Sequence, residues 1–88
     1  MAKIKLFGGL RKFTPAHQYE LPALTVRDLL AAMSVENPAL GEAIMEQEGL
    51  RAHVRIAVNG RDIELLDGLE THLETYDQVA IFPPIAGG

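Results

Sequence analysis

The sequence predicts a single α+β domain, in which a mixed sheet of about five strands packs on one main helix and a short second helix. Three observations predict it: two strand-like segments at the start of the chain, an amphipathic helix after them, and two strand patterns around Asn59-Gly60. A chain of 88 residues has room for one small domain. We expect this domain to span residues 1–84 and a flexible tail to span residues 85–88.

The first two strands are predicted from apolar alternation. Residues 3–7 alternate lysines with apolar residues, which is typical of a half-buried strand. Residues 17–21 alternate in the same way until Pro22, and residues 10–16 between the two segments are expected to form a loop. The two strands should therefore pair as an antiparallel hairpin with a long connection.

The main helix is the clearest element. Thr25 is its expected N-cap, with Asp28 three residues later in the manner of a capping box. The apolar residues that follow are spaced i, i+3, i+4 and i+7 and form one stripe: Val26, Leu29, Leu30 and Met33. Such a stripe predicts a helix with one face in the core.

A second, shorter helix follows an interruption. Residues 34–37 are expected to end the main helix. Asn37 is a plausible cap, and Pro38 suits the first position of a new helix because its missing N–H is not needed there. Gly49 is expected to stop that helix.

The second half of the chain predicts three more strands. Residues 53–58 and 61–65 flank Asn59-Gly60, whose two residues tolerate the positive φ that a tight hairpin requires. Residues 66–77 should connect them to a last strand at residues 78–82, with Leu69 and Leu73 anchoring the connection to the core. A hairpin, a helix across it and further strands, in this order, are typical of a β-grasp fold.

Composition excludes several functions. Without cysteine the chain has no disulfide, thiolate metal site or cysteine nucleophile, and its three histidines lack the spacing of a metal site, so none is predicted. The formal net charge is −4 and the eight Lys and Arg residues are scattered, which disfavours nucleic acid and would suit a basic groove on a partner protein. No long apolar run or signal-peptide core is present, so we expect no membrane segment and a cytoplasmic location.

The last ten residues carry the candidate chemistry. Strand alternation places Val79 and Ile81 against the helix and Phe82 on the outer face, where an aromatic side chain can anchor a partner. Pro83 and Pro84 should end strand pairing and extend the backbone. The expected partner-binding residues are therefore Phe82, Pro83, Pro84, Ile85, Ala86 and Gly87.

Gly88 is the candidate reacting residue. A narrow tail of small residues can enter an enzyme channel and bring its terminal carbon to the catalytic groups. A free carboxylate is a poor acyl donor, so activation requires attack on the α-phosphate of ATP to give an acyl-adenylate. Sulfide transfer would then give a thiocarboxylate. The carboxylate of Gly88 is thus a substrate group, and the partner enzyme uses the ATP.

Five runs of the chain resemble the MoaD/ThiS family of ubiquitin-like sulfur carriers: residues 4–7 (IKLF), 25–30 (TVRDLL), 54–60 (VRIAVNG), 77–84 (DQVAIFPP) and 87–88 (GG). The resemblance implies a β-grasp fold, adenylation by an E1-like enzyme and a C-terminal thiocarboxylate on Gly88. It also implies that Phe82 and Gly87 contact partners. Thr75-Tyr76-Asp77 departs from the Asp-Gly-Asp that the family often has before the last strand.

The pathway is open at this stage. The second helix and the F-P-P segment are most similar to the small subunit of molybdopterin synthase, whose large subunit would be the sulfur acceptor. The I-A-G-G ending also resembles carriers for amino-acid biosynthesis, so sulfur donation to thiamine, cysteine or homocysteine is an alternative. A protein modifier conjugated through Gly88 is another, and an interaction module without C-terminal chemistry a third. In none of these does the chain bind a cofactor or act as an enzyme on its own.

Overall fold

The computed structural model describes residues 1–13, 18–47 and 49–83. Seven strands and two α-helices occur in these ranges: β1 (Ala2–Leu6), β2 (Gln18–Leu21), α1 (Val26–Glu36), α2 (Pro38–Ile44), β3 (Met45–Glu46), β4 (Gly49–Leu50), β5 (Arg55–Val58), β6 (Arg61–Asp62) and β7 (Gln78–Phe82). Three short 3-10 helices span Gly8–Phe13, Ile63–Leu65 and Gly68–Glu70.

The main sheet has five strands in the order β2-β1-β7-β5-β6. β7 pairs in parallel with β1 and antiparallel with β5, and the two outer pairs are antiparallel. The last strand of the chain therefore lies in the middle of the sheet, between the first strand and β5. This mixed sheet confirms the predicted β-grasp architecture, and β3 and β4 add a small separate ribbon that the sequence did not predict.

The core lies between one face of this sheet and the two helices. The predicted stripe of α1 is buried, as are the alternate residues of the central strands that face it, among them Ile4, Leu6, Ile56, Val79 and Ile81. The Thr25 hydroxyl accepts a hydrogen bond from the Asp28 N–H at 3.1 Å, which confirms the N-cap. The predicted interruption at residues 34–37 is limited to Asn37, because α1 continues to Glu36 and α2 begins at Pro38.

The second helix begins as predicted. Asn37 Oδ1 accepts from the Leu40 N–H at 3.2 Å, and its Nδ2 donates to the Phe13 carbonyl at 2.8 Å, so this cap also ties the helix to the first 3-10 segment. The stop at Gly49 is wrong. The helix ends at Ile44, since Met45 takes an extended conformation (φ −112, ψ 147) and begins β3.

One predicted strand and one predicted loop differ from the structure. The expected strand at residues 61–65 ends at Asp62, because the Asp62 carboxylate accepts from the Glu64 N–H at 2.8 Å and starts a 3-10 turn. Leu65, the apolar residue at the end of that expected strand, is 81% exposed. Of the expected loop at residues 10–16, residues 10–13 belong to a 3-10 helix and the others lie outside the described residues.

Candidate functional site

The candidate site lies at the carboxyl end of β7. We call Phe82 and Pro83 the tail base, because they come shortly before the predicted tail at residues 85–88. Phe82, the last residue of β7, stands opposite Arg55 of β5. On the other side, the Phe7 N–H donates to the Ile81 carbonyl at 3.1 Å, one residue beyond β1. The base of the tail is therefore held from both sides by the centre of the sheet.

Phe82 points away from the core, as predicted. Its neighbours along the strand, Val79 and Ile81, are 1% and 0% exposed, whereas Phe82 is 37% exposed. Its ring stacks on that of Phe7, with 4.6 Å between the ring centroids and 17° between the planes. The two rings form one apolar step on the outer face of the sheet, which we call the aromatic step.

A shallow depression lies on the outer face of the sheet next to the aromatic step. Ala57 and Ala80 stand opposite each other in β5 and β7, and Lys5 is the neighbour of Ala80 in β1. The depression beside the rings is lined by Lys5, Phe7 and Ala80, among other residues. The ammonium group of Lys5 lies 5.3 Å from the centroid of the Phe7 ring, within the range of a cation–π contact. A partner would therefore meet an aromatic ridge, a shallow hollow and a positive charge together.

Gly8 sets the position of Pro83. It has a φ of +56°, a conformation that L side chains rarely adopt, and a Cβ placed there would lie 2.9 Å from Cγ of Pro83. A side chain at residue 8 would thus be strained and would also push the proline aside. Glycine at this position lets the chain after Phe7 pass directly against Pro83, the residue that follows β7.

The other end of β7 is fixed by a side-chain network. Asn59, with a φ of 50° in the predicted hairpin turn, donates from Nδ2 to Asp77 at 2.9 Å and accepts from the Gln78 N–H at 3.0 Å. Tyr76, which occupies the glycine position of the resembling family, also has a positive φ, 77°. Tyr76 therefore adopts the left-handed backbone conformation that glycine would adopt at this position. The turn still leads into β7 although its sequence differs from the Asp-Gly-Asp of the family.

The described residues include only part of the predicted site. Phe82 and Pro83 lie at the tail base, whereas Pro84, Ile85, Ala86, Gly87 and Gly88 lie outside the described residues. Sequence reasoning missed Phe7 and Gly8 as site residues, because only the parallel pairing of β1 with β7 brings them to Phe82 and Pro83.

Within the described ranges, no group of His, Asp or Glu side chains could hold a metal ion. No helix in the same ranges has the length and apolar character needed to cross a bilayer.

Known proteins share this geometry and much of this sequence. The family model described as the ThiS family matches residues 4–88. The chain belongs to the ThiS family. This ThiS-family chain is 39% identical over 64 residues to small archaeal modifier protein 3 of Haloferax volcanii, covering 73% of this chain and 70% of the relative. It is also 39% identical over 66 residues to a candidate sulfur carrier protein of Archaeoglobus fulgidus, covering 74% and 75%.

Solved structures agree with the family assignment. The fold is similar to that of small archaeal modifier protein 1 from Methanosarcina acetivorans, with a TM-score of 0.89, 34% identity and coverage of 99% of this chain and 95% of the other. It is also similar to a candidate molybdopterin converting factor subunit 1 from Pyrococcus furiosus, with a TM-score of 0.72, 31% identity and coverage of 96% and 97%. The ubiquitin-like β-grasp fold and the relationship to sulfur carriers and small modifiers, both implied by the sequence, are confirmed.

Proposed function

We propose that this ThiS-family chain carries sulfur on the carboxyl group of Gly88. The observation that supports the proposal most strongly is the placement of β7. The last strand lies in the centre of the sheet, ends at a half-exposed aromatic residue and leads through Pro83 toward the Gly-Gly end. The sheet thereby holds the start of residues 83–88, a segment that carries no charged side chain.

The chemistry takes place at Gly88 in the active site of another protein. A carboxylate oxygen of Gly88 bonds to the α-phosphorus of ATP and pyrophosphate leaves. Sulfide then attacks the carbonyl carbon, AMP leaves and a proton is released, which gives the thiocarboxylate. The carrier supplies the carbon and its approach, while the E1-like enzyme binds the ATP. The lack of any cysteine in the chain is consistent with sulfur held on the backbone terminus.

Partner binding is assigned to the aromatic step and the tail. Phe82 and Phe7 offer a ready anchor, because their stacked rings are already held against each other and lose little freedom when a partner covers them. The residues from Pro83 to Gly87 would occupy the partner's channel that receives the tail. The same surface serves in turn the E1-like activating enzyme and the enzyme that accepts the sulfur.

The acceptor proposed here is the large subunit of a molybdopterin synthase. The F-P-P segment, the second helix and the similarity to the Pyrococcus furiosus protein support this choice. Sulfur donation to thiamine, cysteine or homocysteine uses the same carrier chemistry with another acceptor. The test mixes the thiocarboxylated chain with a candidate large subunit and the pterin precursor. Dithiolene product supports the assignment, whereas sulfur found in cysteine or homocysteine when those acceptor enzymes are supplied refutes it.

A second function, conjugation of Gly88 to lysines of other proteins, is favoured by the two small archaeal modifier relatives. It uses the same acyl-adenylate, with an amine in place of sulfur as the nucleophile. Trypsin cuts this chain last after Arg61, so a conjugated lysine would keep residues 62–88 as its remnant. Branched tryptic peptides from cells that carry this remnant on lysine would support the second function, and a Gly88-deleted strain is the control. Thiocarboxylate without such peptides would leave the sulfur-carrier function alone.

A further inference from the structure

Positive charge is concentrated at the start of this acidic chain. The first nineteen residues contain no Asp or Glu but hold four of the eight basic residues: Lys3, Lys5, Arg11 and Lys12. All twelve acidic residues follow from Glu20 onward. The net charge of −4 therefore conceals two regions of opposite sign, and the basic one is a continuous stretch of the chain.

The fold places this stretch beside the tail. β1 is the parallel neighbour of β7, and the 3-10 helix Gly8–Phe13 begins at the glycine that contacts Pro83. Leu10 anchors that helix in the core, while Lys5, Arg11 and Lys12 are exposed. At a rise of about 2 Å per residue, Lys12 lies about 8 Å along the helix from Gly8. We call Lys5 and Lys12 the basic flank.

The opposite side of the tail base has another charge balance. Arg55, opposite Phe82, is 2.6 Å from a carboxylate oxygen of Glu64 and 3.8 Å from one of Asp62. Its positive charge is thus offset by two carboxylates. On the β1 side of β7, Glu20 of β2 stands opposite Lys3, which leaves Lys5 and Lys12 as the positive charges nearest the tail base. On the β5 side, Asp62 and Glu64 outweigh Arg55.

From this asymmetry we infer that the basic flank docks against an acidic surface beside the tail channel of the E1-like activating enzyme. The inference rests on the proposed function and names the partner chemistry of the same site. It reverses the expectation from net charge, because the partner's groove should be acidic where it meets β1. Electrostatic potentials of opposite sign on two proteins speed their encounter and orient them. Because the charge differs between the two sides of β7, an acidic enzyme surface would favour one orientation of the carrier.

The test measures ATP–pyrophosphate exchange by the cognate E1-like enzyme with the full chain. Lys5→Glu/Lys12→Glu reverses the basic flank. Arg61→Glu is the control, because Arg61 is exposed in β6 opposite Val58, at the end of the sheet away from Phe82. A second control, Lys5→Arg/Lys12→Arg, keeps the charge. Thermal melts confirm that all three variants fold.

We expect the reversal to lower kcat/KM about tenfold or more at low salt, since steering of this kind changes association rates by about 10- to 1,000-fold. The deficit should shrink at about 1 M salt, where the Debye length is about 3 Å. Arg61→Glu should stay within about twofold of the wild type, because its charge lies far from the tail base. The arginine pair keeps the positive charge and should therefore lose much less activity than the charge reversal.

Several results would overturn the inference. One is an equal loss in Arg61→Glu, which would make net charge the cause. Others are an increase in exchange on reversal, or a deficit that salt does not change. Binding of single-stranded RNA that the reversal abolishes would assign the flank to nucleic acid instead. If the wild type itself supports no exchange, the proposed function fails first, so the two failures are distinguishable.

Discussion

Replacing Gly8 with alanine should both destabilise the protein and displace the tail base. The left-handed conformation at Gly8 (φ +56°) costs an L residue about 1–2 kcal/mol. The new Cβ would also lie 2.9 Å from Cγ of Pro83, and overpacking of this kind adds about 1–3 kcal/mol. We therefore expect Gly8→Ala to lower the free energy of unfolding by about 2–5 kcal/mol in urea titrations.

Alanine variants at two other glycines distinguish the cost of the backbone conformation from the cost of the contact with Pro83. Gly60 has a φ of +86°, and a Cβ placed there would meet no atom within 4 Å, so Gly60→Ala should show only the conformational cost of about 1–2 kcal/mol. Gly9 has neither feature, and Gly9→Ala should leave stability unchanged or raise it by up to about 1 kcal/mol. In Gly8→Ala/Pro83→Ala the contact part of the loss should disappear. Equal losses for Gly8→Ala and Gly60→Ala would refute the contact with Pro83.

The remaining predictions concern β7. Phe82→Asp should weaken binding to the activating enzyme in calorimetric titrations while lowering the free energy of unfolding by about 0.5–1.5 kcal/mol, the worth of an aromatic pair. Ile81→Ala, at a fully buried neighbour, should cost about 2–5 kcal/mol, and a larger loss in Phe82→Asp than in Ile81→Ala would show that the strand phase is wrong. Asn59→Gly keeps the turn conformation and should lose about 1 kcal/mol per hydrogen bond to Asp77 and Gln78, whereas Asn59→Ala should lose about 1 kcal/mol more. Urea titrations that give equal losses for the two Asn59 variants would contradict the role of the positive φ.

Local signals in the sequence were enough for much of the fold. The α1 stripe, the Thr25 cap and the Asn59-Gly60 turn depend on residues within one or two turns of each other, and all three were predicted correctly. The outward phase of Phe82 followed from alternation with Val79 and Ile81.

Two predicted elements were wrong because the chain adopts a different local structure at those residues. Ile63 and Leu65 continue the alternation of a strand, but the Asp62 carboxylate binds the Glu64 N–H and turns the chain into a 3-10 helix. Gly49 was expected to stop a helix and instead pairs in β4. In both cases a local alternative replaced the element that the pattern favoured.

The partners of the site could not be read from the sequence because they are distant along it. Phe7 reaches Phe82, and Gly8 reaches Pro83, only through the parallel pairing of the first and last strands. The basic flank was visible as scattered residues, yet its position beside the tail required the same pairing. Sequence patterns describe each strand alone, whereas the site joins the first strand of the sheet to the last.

The central claim is that Gly88 becomes a thiocarboxylate, and intact-mass measurement of the whole chain tests it most directly. The chain is incubated with its E1-like enzyme, ATP and a sulfur donor, beside a Gly88-deleted variant and a reaction without ATP. We predict an ATP-dependent mass increase equal to the exchange of one oxygen for sulfur, located in the C-terminal peptide and absent from the deleted variant. An unchanged C-terminal peptide, under conditions in which the same enzyme thiocarboxylates another carrier, would contradict the claim.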